Sequence, residues 1–160
     1  MHKSWTEIKS ETDIKRLMRI TRNFHDSCIK EISYISGAYV DMDYNMYPVN
    51  SMRVLNILIQ RQEEDCPTIE LSFEEIDRLS LMPQNDKYTC EIINASLQFI
   101  NGQIVWSSFE MSPDSYMKEF SLGSGIIVTA NRLRWRRLDS QLGNRVYYYN
   151  DPYTKNSSEE

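Results

Sequence analysis

Apolar positions along this chain follow two rhythms, and the change from one to the other falls at Phe24-His25-Asp26. Before it, Ile14, Leu17, Met18 and Thr21 fall on one face at helical spacing, while Lys15, Arg16, Arg19 and Arg22 take the remainder. Ser10-Glu11-Thr12-Asp13 supplies a start: Ser10 or Thr12 accepts from orphan backbone N–H groups, and the acids favour the positive end. Asn23 suits the left-handed conformation that ends a helix. Trp5 and Ile8 form a small apolar cap ahead of it.

After that point the chain reads as strand and turn. Residues 27–35 are rich in Ile and Tyr without clean alternation, which a bulge or burial on both faces reconciles. Gly37 bends the chain, and residues 41–50 mix turn formers with scattered aromatics, predicting a loop. Val54, Leu55, Ile57, Leu58 and Ile59 predict a central strand over 52–60. Ile69, Leu71 and Phe73 alternate with Glu70, Ser72 and Glu74, the pattern of a strand with one wet face. Residues 75–81 stay open between a helical turn and a short strand. Asn101-Gly102 between apolar runs predicts a type I′ hairpin. Residues 107–124 form a long loop with a helical turn near Tyr116. A strand over 126–136 follows, and Gly143-Asn144 turns the chain into another strand at 145–149.

One helix followed by about seven strands, without β-α-β spacing or repeats, predicts an α+β fold that is mostly β. The expected architecture is an antiparallel sheet curled into a sandwich or open barrel, with the N-terminal helix packed against it. Residues 1–150 make one domain, and the polar residues 151–160 a disordered tail.

Composition narrows the classes. The net charge of −5 opposes nucleic acid and anionic membrane surfaces as partners. No apolar run is long enough to span a membrane, and no secretory leader opens the sequence. Cys28, Cys66 and Cys90 are widely spaced and odd in number, which fits a cytosolic, reduced protein with thiols serving as small core hydrophobes.

Two constellations carry candidate chemistry. The first is His25 with Asp26. As a general acid or base His25 needs a carboxylate to orient it; as a corner residue it needs only backbone partners, and a lone His without a second recognisable partner favours the corner. The second is Arg132-Leu133-Arg134-Trp135-Arg136-Arg137. A two-residue period puts Arg132, Arg134 and Arg136 on one face, and Tyr147 and Tyr149 on a neighbouring strand complete a mixed recognition surface. Cross-strand pairing with Glu70, Glu74 or Glu91 is the plainer explanation of the same arginines. The acidic runs Glu63-Glu64-Asp65 and Glu74-Glu75-Asp77 lack calcium-loop spacing and read as solvated turns. Nucleophile-elbow, phosphate-loop and metal-ligand signatures are missing, so no metal or cofactor is expected.

Phe24-His25-Asp26-Ser27-Cys28-Ile29 after a short helix, Ile69-Glu70-Leu71-Ser72-Phe73 in the middle and Leu133-Arg134-Trp135-Arg136 late resemble a family of small, mostly uncharacterised bacterial proteins, over about residues 5–150. Small stand-alone acidic proteins of this kind resemble immunity proteins of bacterial toxin systems. That resemblance implies a non-catalytic cytoplasmic module that binds another protein tightly. The alternative from another class is a small ligand-binding or hydrolytic barrel, with His25 and Asp26 at its mouth and Trp106 or Tyr88 stacking on the ligand. Third comes a nucleic-acid module on the arginine stripe.

Overall fold

A computed structural model of the chain describes residues 4–122, 125–139 and 141–149. The tail expected at 151–160 lies outside the described residues. A three-residue strand β1 (Thr6–Ile8) precedes helix α1 (Glu11–Thr21). Ser10 caps the helix as its sequence predicts: its Oγ accepts from the Asp13 N–H, and the Asp13 carboxylate in turn accepts from Lys9 N and Ser10 Oγ.

The strands that follow are β2 (Ser27–Ile35), β3 (Tyr39–Val40), β4 (Met46–Tyr47), β5 (Val54–Arg61), β6 (Thr68–Leu81), β7 (Ser96–Ile100), β8 (Gln103–Ser107) and β9 (Ile126–Arg137). A short helix α2 (Tyr116–Leu122) sits before β9. The main sheet runs β2-β5-β6-β9-β8-β7, antiparallel throughout, with β1 added to β9. β3 and β4 pair only with each other. The fold is mostly β, an antiparallel sheet with an N-terminal helix against it, as expected, and its edges β2 and β7 leave the sheet unclosed.

One face holds the main core. Leu55, Ile57 and Ile59 of β5, Ile69, Leu71 and Phe73 of β6, Leu133 and Trp135 of β9 and Trp106 of β8 meet Ile14 and Leu17 of α1. Phe24, fully buried, stands edge-on to Trp106 with centroids 6.1 Å apart. That geometry is worth about 1 kcal/mol beyond the area buried.

The irregularities lie where the pattern faltered. β2 shifts register between Ile29 and Glu31, the bulge its broken alternation predicts. β6 runs unbroken through 75–81, deciding that segment as strand; Glu75 adopts φ 54° there and the core face moves from Phe73 to Ile76. β9 makes the matching change between Ala130 and Leu133, and Asn131 donates to Glu75 at 2.9 Å where the two switches meet. Beyond this bend the reverse face carries a second apolar cluster, Val105, Met111 and Ile127, covered by Phe109 and Tyr116. The hairpin turn has Asn101 and Gly102 at φ 52° and 79°.

Three expectations change. Trp5 and Ile8 flank and belong to a real strand, since β1 completes the edge of β9. Residues 145–149 form no strand; they lie as coil over the sheet, with Glu31 accepting from the backbone N–H groups of Tyr147 and Tyr148. Of the three thiols only Cys66 is a core residue; Cys28 is half-buried and Cys90 exposed.

Candidate functional site

Helix α1 ends in an unusual corner. Arg22, Asn23 and Phe24 take φ of 51°, 54° and 58° in succession, and Asp26 follows at 53°. A left-handed conformation costs a non-glycine residue roughly 1–2 kcal/mol. Two fixtures oppose that cost: the buried Phe24 ring and the Arg61 guanidinium. Arg61 is buried and donates to Thr21 O at 3.0 Å and Cys66 O at 2.9 Å, so its charge meets the negative end of α1 instead of a carboxylate.

The left-handed turn at Asp26 brings it back toward its neighbour. His25 Nδ1 sits 2.9 Å from Asp26 Oδ1, with both side chains about half exposed. An imidazole oriented by a carboxylate is chemically competent, yet the ring faces open solvent. A cleft of about 730 Å³ beside the corner is lined by Asp26, Cys28, Gln60, Arg61 and Tyr88, but not by His25. Trp106 cannot stack on a ligand, because its ring is wholly inside the core. A second cleft of about 930 Å³, bounded by Ile29, Ile32, Met82, Ile92, Phe109 and Ile126, lies between β2 and the far end of the sheet.

The arginines of β9 share one face, and register brings acids opposite them. Arg136 faces Glu70, Arg134 faces Ser72 and Arg132 faces Glu74. Arg136 Nε donates to Glu70 at 2.6 Å, while Arg132 and Arg134 reach Glu74 at 3.0 and 3.2 Å. From β1, Glu7 takes a further contact to Arg132 at 3.3 Å. The Trp5 ring lies against the Arg134 and Arg136 guanidiniums, 4.6 and 4.4 Å from its centroid. Tyr148, beside the predicted Tyr147 and Tyr149, donates its hydroxyl to Glu70 at 2.8 Å. Burial, with the Glu70 charge added, pushes that hydroxyl far above the ordinary tyrosine range. Tyr147 is half-buried against Tyr148, and Tyr149 is exposed. Glu91 faces none of these arginines; it lies in the segment beside the two clefts.

The segment predicted as a loop is the most exposed apolar feature. Residues 36–52 form a projecting arm whose two strands, β3 and β4, stack Tyr39 on Tyr47 at 4.7 Å and 13°. Met42 and Tyr44 at its tip are 94% and 90% exposed. Ten large apolar side chains between Tyr34 and Met52 stand open. The arm is nevertheless well braced. Asp41 Oδ1 accepts from the backbone of Asp43 and Asn45, both at 2.9 Å, and those bonds, Asn45 first, hold its carboxyl below the usual range. At the base, Ser36 O accepts from Met52 N and Arg53 N, and Arg53 Nη1 donates to Ile76 O at 3.0 Å. The clue available beforehand was the density of Tyr and Met in a stretch with no Lys or Arg between residues 31 and 52.

No family model, curated protein or solved structure matches the chain. The chemistry of these surfaces therefore carries the functional reading. No helix is long and apolar enough to cross a membrane among the described residues. Nor do three or more metal-ligating side chains gather at any point among them.

Proposed function

We propose that this chain is a non-catalytic protein-binding module whose docking element is the arm of residues 36–52. The observation that carries this is the pairing of exposure with rigidity at the tip. Met42 and Tyr44 are almost fully exposed, on a turn already fixed by the Asp41 carboxylate. Monomeric proteins rarely leave such a patch uncovered. The arm's eight open apolar side chains, with Tyr34 and Ile35 beside its base, offer an apolar centre for an interface, which at standard size covers about 800 Å² on each partner. A braced arm also loses little conformational freedom on binding, and that sharpens affinity. The tip carries only negative charge, from Asp41 and Asp43, which favours a partner with basic residues around its groove.

The resemblance to bacterial immunity proteins extends this proposal to a toxin as the partner and the cytoplasm as the place. The arginine face is a weaker docking candidate than the arm, because Glu70, Glu74 and Glu7 already engage it.

The test is affinity capture from native extract with the wild-type chain and with a Met42→Ser/Tyr44→Ser variant. A stoichiometric partner held by the first and lost by the second is the expected result. A partner retained equally by both, or none with either, would sink the proposal.

A further inference from the structure

Two cysteines that are 62 positions apart in the chain line the same 730 Å³ cleft. The segment containing Cys90 is fastened at each end. Met82 N donates to Gly125 O at 2.9 Å, and Ile92 N donates to Ser27 O at 2.8 Å. Between those points its bonds are local, such as Lys87 N to the Asn85 side chain and Tyr88 N to Asn85 O. The Ile92 contact is an antiparallel bridge to Ser27, next to Cys28 at the start of β2. Continued from that bridge, an antiparallel register would set Cys90 opposite Ile29, one position from Cys28 on chains about 5 Å apart, close to the Cα separation a disulfide requires. In a regular ladder the two side chains would point to opposite faces. Only residue 92 is bridged here, and both cysteines line the same cleft. Burial raises the Cys28 thiol, and Cys90 adds to the rise.

We propose that Cys28 and Cys90 are a reversible oxidation site, forming a disulfide that ties residues 84–91 to β2. The oxidant is a peroxide. Cys90 is exposed and meets it first. Its thiolate attacks one peroxide oxygen, the O–O bond breaks, and the departing hydroxide takes a proton to become water, leaving a sulfenic acid. The Cys28 thiolate then attacks that sulfur. The S–O bond breaks and a second water leaves, so two thiols lose two electrons in all and the peroxide gains them. The strip Thr89-Cys90-Glu91 walls both clefts, so the bond fixes a boundary that they share.

The experiment uses the full chain, reduced, desalted and titrated with hydrogen peroxide, then alkylated and mapped by mass spectrometry. Of the three thiols, Cys66 alone should remain open to alkylation after denaturation, with a peptide linking Cys28 to Cys90 that dithiothreitol releases. Amide exchange across 84–91 should slow at least tenfold on oxidation and recover on reduction. In Cys90→Ser, a surface change that leaves the core intact, Cys28 should stay alkylatable through the same titration. Cys90 driven to sulfinic acid while Cys28 stays free would overturn the proposal, as would dimers joined through Cys90.

Discussion

The arginine ladder of β9 and the tyrosine–methionine arm are opposites in how each treats its recognition chemistry. The ladder carries the residue types most associated with binding, yet β6 places an acid across from Arg132 and Arg136, and Trp5 covers the Arg134 and Arg136 guanidiniums. The arm carries no unusual charge and no long strand. It holds its apolar side chains outward on a frame of short-range hydrogen bonds. Residue type alone does not mark an interface; what matters is whether the fold has already supplied a partner.

The strongest way to break that comparison is at Glu70. Its carboxylate is nearly buried and holds both Arg136 and Tyr148, so Glu70→Ala strands a charge and a hydroxyl. Urea unfolding should register a loss of about 3–5 kcal/mol. A loss below about 1 kcal/mol would mean that the ladder is a surface feature, available for binding after all.

Tyr148→Phe should cost less, about 1.5–3 kcal/mol at neutral pH for one hydrogen bond to a charged group. It should also change the alkaline limb. The folded state holds the Tyr148 proton more tightly than the unfolded state. Stability from it is therefore complete below the unfolded value near 10 and declines above it, by up to about 1.4 kcal/mol per pH unit. Chemical denaturation from pH 8 to 11 should show a shallower decline in the variant than in the wild type.

At the base of the arm, Gly37 has φ +91°, and an added Cβ would meet Ser51 Oγ as well as Met52 N at 2.7 Å. Gly37→Ala should cost about 1–2 kcal/mol by thermal denaturation and displace the arm. The smallest effect belongs at the tip. Met42→Ser/Tyr44→Ser should leave stability within about 0.5 kcal/mol, because those side chains support nothing in the fold. A larger drop would place the arm among the structural elements.

Much of the architecture was legible because local and tertiary demands agree. The Ser10 cap, the Asn101-Gly102 turn and the alternation from Ile69 to Glu74 each have one good physical solution, and the fold adopts it. What escaped was set by non-local contacts. Trp5 and Ile8 carry too short a pattern to announce a strand, and β1 exists only because β9 offers an open edge. Tyr147 to Tyr149 have strand-like composition, but Glu31 takes the backbone donors that a ladder would need. His25 and Asp26 do come together, through a left-handed turn that no side-chain period could indicate. The nearness of Cys28 and Cys90 was hidden by their spacing, since the bridge at Ser27 and Ile92 is what unites them.

The pairing of β1 with β9 ties the molecule's history to its shape. Glu7 grips Arg132 across 125 positions of chain. On the ribosome, residues 6–8 emerge early and wait for nearly the whole polypeptide before a neighbour exists for them. Closure at such separations is slow, so the middle of the sheet is completed late. Until then Trp5 and the acids of β6 are open to water, and a nascent chain halted before residue 126 would lack the strand that joins the two halves of the sheet.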